Sequence, residues 1–357
     1  MERVIRHRIL IVGTGSIGTR HVRCMRNTGR ADVGICEPNS ELRQSVASTY
    51  GIDGTYASVN QALQTSWHAA VIATPAPSHI PVAQQLADAG IGVLIEKPLA
   101  VVEHGVAALA ATIERNALPA CVAYVYRAHP AVQAMREAIH SGRFGKPLQL
   151  IVVSGQPFWH LRPAYRSIYY ANRAEGGGGI QDGLTHSFNL CEWLVGPITR
   201  IAVDAAHLRL EGVNVEDTVN VLARHDGSVL ASYAFNQHQA PNESMITVVC
   251  TGGTLRLETR LNRWTWMTEP CGAWQEQAFE LPNQDDWFIR QEHAFLDHVE
   301  GKSPPLCSLA EGWQTLRVNR AALSSMDDGG AWRDVVAVEK MDVEIGARPP
   351  DTAPLMK

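Results

Sequence analysis

Three separated clusters of residues have types and spacings that carry chemistry. The first is Gly13-Thr14-Gly15-Ser16-Ile17-Gly18, directly after the apolar run Ile9–Val12 and at the start of a helix-like stretch. In such a loop the first glycine makes the tight turn. A side chain at the second would block a pyrophosphate, and the third lets the helix pack on the sheet. The first N–H groups of the helix, aided by its dipole, then favour phosphate. Glu37 ends the run Val33-Gly34-Ile35-Cys36, at the spacing where an acid accepts hydrogen bonds from the adenosine ribose. Its carboxylate would repel a 2′-phosphate, so NAD is expected and NADP disfavoured. Arg43, in the next helix, would soften that preference unless it is only a solvated charge. The alternative for the loop is a plain glycine turn between strand and helix.

The second cluster is Glu96-Lys97-Pro98, after the run Gly92–Ile95. Ligands of doubly wound sheets sit at the carboxyl ends of strands, where Lys97 can reach a nicotinamide and a substrate hydroxyl. Pro98 pushes Lys97 to extended backbone. A surface turn with an ion pair is the bland alternative. The third cluster is Gly176-Gly177-Gly178-Gly179 leading into Asp182 and His186. These glycines suit close packing ahead of a helix better than a second phosphate cradle. Asp182 and His186, four apart, share a helix face. There the carboxylate would orient the ring and raise its basicity, making a proton-handling pair. The alternative is an N-cap aspartate and a structural histidine.

The elements that must position these clusters change character near residue 122. Before it, the strand candidates Arg8–Val12, Ala31–Cys36, Ala69–Ala73 and Gly92–Ile95 alternate with helical stretches at 16–28, 40–50, 78–89 and 101–116. Strands apolar on both faces, separated by helices, predict a parallel sheet. After a helix over 130–141 come alternating runs at 148–154, 198–210, 218–224, 228–235, 245–250, 254–258 and 263–267. They predict an antiparallel sheet of about six strands. Helices return over 284–300 and 308–325. The expected fold class is α/β: an N-terminal Rossmann domain over 1–122, then an α+β domain over 123–340 with a large, mostly antiparallel open sheet. An extended arm is expected over 341–357.

The composition is that of a folded globular protein: 357 residues, 45% hydrophobic and 19% charged. A net charge of −5 with no Lys/Arg block argues against nucleic acid. No run approaches the ~20 apolar residues of a membrane span, and the N-terminus does not read as a signal peptide. The seven scattered cysteines include no CxxC pair. They are expected to be reduced thiols in a cytoplasmic protein, with no metal site.

Taken together, the glycine loop, Ala73-Thr74-Pro75 with His79, Glu96-Lys97-Pro98, Tyr126-Arg127-Ala128-His129-Pro130 and the glycine run into Asp182 and His186 resemble the glucose–fructose oxidoreductase/inositol dehydrogenase/MocA family. The resemblance runs from residue 8 to about 326. It implies hydride transfer between a nicotinamide cofactor and a carbinol carbon. It implies a catalytic group of Lys97, Asp182 and His186, with His186 as base and Lys97 bound to the same oxygen. Thr74, Pro75 and His79 would line the nicotinamide half of the site. Glu96 would contact the cofactor or hold Lys97. Many relatives carry an acid three residues after the histidine, where this chain has Asn189.

Alcohol oxidation needs a base at the hydroxyl and a cation at the forming oxyanion, which fits this set. Lys97, beside a buried pocket, is expected to have a depressed pKa and to share base duty with His186. Arg127, after a strand at 121–126, is expected to face the cleft. Trp159, His160 and Arg166, in the aromatic and cationic segment 156–173, are candidate contacts for a polar substrate. A loop at a subunit interface is the alternative for that segment. The leading expectation is an NAD-dependent dehydrogenase acting on a sugar, polyol or sugar acid. The alternatives are an NAD-dependent glycosidase working by transient oxidation and elimination, and an NAD-binding sensor without turnover. The second sheet has helices for one face only. Its other face, expected to present Val221, Leu230 and Phe235, predicts a homodimer or homotetramer.

Overall fold

The computed structural model describes residues 6–283 and 285–336, so the arm expected over 341–357 lies outside the described residues. The apolar runs of the first third form one sheet. Its strands are β1 (His7–Val12), β2 (Ala31–Cys36), β3 (Thr55–Tyr56), β4 (Ala69–Ile72), β5 (Gly92–Ile95) and β6 (Ala120–Val122). They lie in the order β3-β2-β1-β4-β5-β6, every pairing parallel. A strand covered on both faces must be apolar at every position, and Ile9, Leu10 and Ile11 are all fully buried. Between the strands run α1 (Ser16–Asn27), α2 (Ser40–Tyr50), α3 (Val59–Ala62), α4 (His79–Asp88) and α5 (Val106–Arg115). The helix expected from residue 101 begins at Val106. Gly105 precedes it with φ +82°, which a right-handed helix cannot include.

The remaining elements are α6 (Pro130–His140), β7 (Pro147–Gly155), α7 (Phe158–Leu161), α8 (Thr185–Val195), β8 (Ile198–Ala206), β9 (Thr218–His225), β10 (Leu230–Asn236), β11 (Glu243–Cys250), β12 (Gly253–Glu258), β13 (Arg263–Met267), β14 (Gln275–Ala278), α9 (Asp286–Val299), α10 (Leu309–Asp327) and β15 (Arg333–Asp334). The second sheet has nine strands rather than about six, in the order β14-β13-β12-β11-β7-β10-β9-β8-β15. Its pairings are antiparallel except β7 with β10. Two of the additional strands carry no apolar alternation: β14 is exposed throughout, and β15 is two residues long.

Period-2 alternation decides which side chains this sheet buries. Val221 and Phe235, expected on the open face, point instead into the core with Phe188, Val318 and Ala322. The open face carries Leu222 and Leu230, 57% and 47% exposed. The chain beyond residue 285 also departs from a simple division at residue 122. Phe295 and Leu296 of α9 pack with Ile9, Ile11 and Val22 on one face of the parallel sheet. On its other face, Leu309, Trp313 and Leu316 of α10 join Leu10 and Val12. The far end of α10 enters the second core through Val318 and Ala322. Among the described residues, no helix is long and apolar enough to cross a membrane.

Candidate active site

The carboxyl ends of β1, β2, β4 and β5 bring the clusters together. Gly13 turns the chain out of β1 with φ +86°, and a Cβ there would sit 2.8 Å from the Ala73 carbonyl oxygen. A Cβ on Gly18 would meet the Gly13 oxygen at 2.0 Å, whereas one on Gly15 would meet nothing within 4 Å. Gly13 and Gly18 are therefore needed for packing. Gly15 faces open space, with the uncapped first turn of α1, Ser16 and Ile17 included, directly after it. That is a fit for a pyrophosphate. Glu37 leans over the same loop: one oxygen accepts from the Thr14 N–H at 2.9 Å and the other from the Asn39 N–H at 3.0 Å. Arg43 donates to the Glu37 carbonyl oxygen at 2.5 Å, so it is tied to main chain.

After β4, the Ala73 N–H donates to the Val12 oxygen, and the Thr74 hydroxyl accepts from Ser78 at 2.8 Å. His79 is buried, with its two ring nitrogens 2.8 Å from the Thr74 carbonyl oxygen and 3.0 Å from that of Pro98. It braces the turn of Thr74 and Pro75 against that of Lys97 and Pro98, leaving no ring nitrogen for a ligand.

Lys97 reaches from the end of β5 to the second domain. Its ammonium donates to Asp182 Oδ1 at 2.9 Å and to the Asp182 carbonyl oxygen at 3.2 Å. The Tyr169 hydroxyl donates to the same Oδ1 at 2.6 Å. The depressed pKa expected for Lys97 is corrected. Burial pulls it down, but Asp182, Tyr169 and Glu96 outweigh burial and hold it above the ordinary lysine value. Asp182 is correspondingly held below the usual carboxylate range: burial opposes, and Lys97 and Tyr169 prevail.

The proposed Asp182–His186 pair is corrected too. Asp182 sits in a π-helical turn, Gly179–Leu184, ahead of α8, and its carboxylate is engaged by Lys97 and Tyr169. The His186 ring lies 5.0 Å from the Tyr126 ring and 6.0 Å from that of Tyr124, and its buried Nδ1 has no hydrogen-bond partner. Burial, then Lys97, lower its pKa to about 3, with Asp182 opposing. At neutral pH the site therefore holds an ammonium, a carboxylate and a neutral imidazole.

Arg127 does not face the cleft. It is buried, donating to Asn189 Oδ1 at 2.8 Å, Glu311 Oε1 at 2.5 Å and the Leu306 oxygen at 2.9 Å. Asn189 is committed to Arg127 and to Thr315, so its amide serves the core rather than His186. Trp159 and His160 are exposed, and Arg166 is tied to the Glu211 carbonyl oxygen. Among the described residues none of the three hydrogen-bonds Lys97, Asp182 or His186. Tyr169 is the member of that segment that reaches the site. Tyr126 and Trp287 of α9, 5.5 Å apart, add an aromatic wall beside His186. No group of His, Cys, Asp and Glu suited to a metal occurs among the described residues.

Comparison with known proteins agrees with this layout. Residues 7–124 match the family model described as an oxidoreductase family with an NAD-binding Rossmann fold. Residues 132–256 match that of the GFO/IDH/MocA C-terminal domain. The chain is 28% identical over 262 residues to D-apiose dehydrogenase of Paraburkholderia graminis, covering 69% of this chain and 66% of that protein. It is 25% identical over 230 residues to myo-inositol dehydrogenase Hyg17 of Streptomyces leeuwenhoekii, covering 62% and 67%. The matched region thus spans about two thirds of these relatives. Among solved structures, levoglucosan dehydrogenase in complex with NADH superposes with a TM-score of 0.85 at 19% identity, covering 93% of this chain and 100% of that one. The WlbA dehydrogenase of Bordetella pertussis, in complex with NADH and UDP-GlcNAcA, gives 0.76 at 25% identity, covering 93% and 99%.

Proposed function

The chain belongs to the Gfo/Idh/MocA family of NAD-binding oxidoreductases, and on that premise we propose that it moves a hydride between a secondary alcohol of a sugar, polyol or sugar acid and NAD. The observation that carries this reading is the contact of the Lys97 ammonium with the Asp182 carboxylate beyond the end of β5, with the buried His186 ring near enough for both charges to act on it.

Gly13–Gly18 and the start of α1 would hold the pyrophosphate, Glu37 would hold the adenosine ribose, and Ala73, Thr74, Pro75 and Glu96 would line the nicotinamide end. When bound, NAD supplies the hydride acceptor. Lys97, charged at neutral pH, donates to the substrate oxygen and stabilises the charge that develops there. His186, neutral at rest, takes the hydroxyl proton as the C–H pair leaves and the C=O bond forms. Asp182 fixes the Lys97 ammonium and balances the imidazolium, while the Tyr169 hydroxyl fixes Asp182. The wall of Tyr126 and Trp287 suits the apolar face of a polyhydroxylated ring. The relatives named for apiose, inositol and levoglucosan support that class.

The open face with Leu222 and Leu230 pairs with a second copy, giving a dimer or tetramer. The thiols, none of them in a disulfide among the described residues, suit the cytoplasm.

The test follows absorbance at 340 nm with NAD and a panel of D-apiose, myo-inositol, levoglucosan and glucuronate, on the parent, Lys97→Ala and His186→Ala. NADH accumulation that both variants abolish is expected. Glycoside cleavage without net NADH would move the assignment to a hydrolase. NAD binding without turnover of any kind would move it to a sensor.

A further inference from the structure

Behind Lys97 lies a buried ionic chain whose far members, His21 and Glu292, the reaction above does not use. His21, on α1 three residues past Gly18, has no exposed surface. Its Nδ1 lies 2.5 Å from Glu292 Oε1 on α9, and its Nε2 lies 2.9 Å from Glu96 Oε1. Glu292 is fully buried and Glu96 is 5% exposed. The other oxygen of Glu96 accepts from the Lys97 N–H at 3.0 Å. We propose that His21 is a positioning residue for Lys97, acting through Glu96. It couples the helix behind the glycine loop, and α9, to the ammonium that meets the substrate oxygen. This rests on the reading of Lys97 given above.

The geometry supports a directional link. An imidazole between two carboxylates donates from both nitrogens only as the imidazolium, which fixes its plane at two points. The charged groups facing His21 are Glu292 from α9 and Glu96 from the turn after β5. The Phe288 ring of α9 lies 6.0 Å away. The two carboxylates outweigh burial and hold the ring protonated above its ordinary pKa. Glu96 has one oxygen on His21 and the other on the main chain of Lys97, so a displaced His21 frees the Glu96 carboxylate to move. Lys97 must span from that turn to Asp182, and a shift of its backbone changes where the ammonium points. Two carboxylates against one imidazolium also leave a net negative charge behind Lys97, which favours its ammonium form.

Two isosteric halves of the imidazole separate this role from a merely structural one. The amide nitrogen of Gln overlays ring Nε2, so His21→Gln keeps the donor to Glu96. The amide nitrogen of Asn overlays Nδ1, so His21→Asn keeps only the donor to Glu292. Both remove the cation, and both are expected to lower thermal stability. The assay measures kcat by NADH formation on whichever panel compound the parent oxidises fastest, corrected for folded fraction, with NAD affinity from fluorescence titration. His21→Asn should lose kcat roughly ten- to a hundredfold, since small misplacements of a reacting group have that effect. NAD affinity should hold, and His21→Gln should keep most of the parent rate. Equal kcat in the two variants overturns the proposal and leaves a structural ion pair.

Should either variant fail to fold, Glu96→Gln and Glu96→Ala decide instead. The first keeps an oxygen to accept from the Lys97 N–H and a polar group toward His21, and the second removes both contacts. The proposal expects kcat to fall roughly ten- to a hundredfold in Glu96→Ala and to be largely kept in Glu96→Gln. Equal kcat in these two overturns it. Lys97→Ala runs alongside. Normal turnover there would defeat the catalytic reading itself, whereas collapse there with equal His21 variants defeats only the positioning role.

Discussion

Asp182→Asn keeps the side chain's shape and removes its charge. In the parent, Asp182 Oδ1 faces the Lys97 ammonium at 2.9 Å, the two side chains being 13% and 15% exposed. At that separation and an effective dielectric of about 20, the attraction is roughly 6 kcal/mol. Much of it offsets the desolvation of the two ions. Deleting one partner leaves the other buried and uncompensated, which costs about 3–5 kcal/mol. For a chain of this size that is a fall in Tm of roughly five degrees. The sign of the pH dependence follows from the shifts. In the parent, Lys97 is raised above its unfolded value. Its contribution is complete below the unfolded lysine pKa and is lost only as pH rises through the folded one. In Asp182→Asn burial governs Lys97 and lowers it. The ammonium then penalises folding at neutral pH, and the penalty lifts as Lys97 deprotonates. The deficit against the parent should be large at pH 7 and smaller at pH 10. Differential scanning fluorimetry of both proteins at the two pH values measures it. A deficit at pH 7 under about 1 kcal/mol, the scale of an exposed pair, or one that does not shrink by pH 10, refutes the reasoning.

Glu37→Ala removes a charged acceptor of the ribose hydroxyls and should weaken NAD by about 1.5–3 kcal/mol, roughly ten- to a hundredfold, while narrowing the gap to NADP. Isothermal titration checks both, and an unchanged NAD affinity would remove Glu37 from the cofactor site. Gly15→Ala and Gly18→Ala should part company. A Cβ at Gly15 meets nothing within 4 Å, so that variant should fold as the parent and lose NAD affinity. At Gly18 the Cβ would lie 2.0 Å from a carbonyl oxygen, and soluble folded protein should be lost. Because the His186 pKa is lowered to about 3, its neutral form persists in mild acid. The kcat/KM profile should therefore show no His186 limb near pH 6.5, and an imidazole NMR resonance titrating near pH 6.5 that is missing from the His186→Gln spectrum would indicate a solvated ring.

The parallel sheet was legible because strands covered on both faces must be apolar at every residue, and Ile9–Val12 or Ala69–Ile72 cannot be read otherwise. The glycine loop was legible for a similar reason: turning out of β1 against Ala73 leaves no room for a side chain at Gly13 or Gly18. Strands β14 and β15 were not legible, since Gln-Glu-Gln-Ala and Arg-Asp carry no alternation. At the site, the family resemblance grouped Lys97, Asp182 and His186; the Lys97–Asp182 contact is present, whereas the Asp182 carboxylate expected to orient His186 is engaged by Lys97 and Tyr169. Spacing by four assumes an α-helix, and Asp182 lies in a wider π-turn that leaves its carboxylate to Lys97. Arg127 looked like a ligand because charge rarely goes inside. Its burial depends on Asn189 and Glu311, 62 and 184 residues away, which no local pattern signals. Tyr169 was visible as one aromatic among several, and only tertiary contact with Asp182 distinguishes it. His21 carried a faint signal, three residues past Gly18 and on the buried side of α1. Its partner Glu292 carried none.

The placement of α9 has a consequence for biosynthesis. One side of β1 is shielded in part by Phe295 and Leu296 of α9. A ribosome therefore releases the dinucleotide-binding half with part of a greasy flank uncovered, and that part stays bare until α9 emerges. A fragment ending at residue 122 should accordingly be sticky and short-lived, and nascent chains stalled before residue 286 should be clients for chaperones.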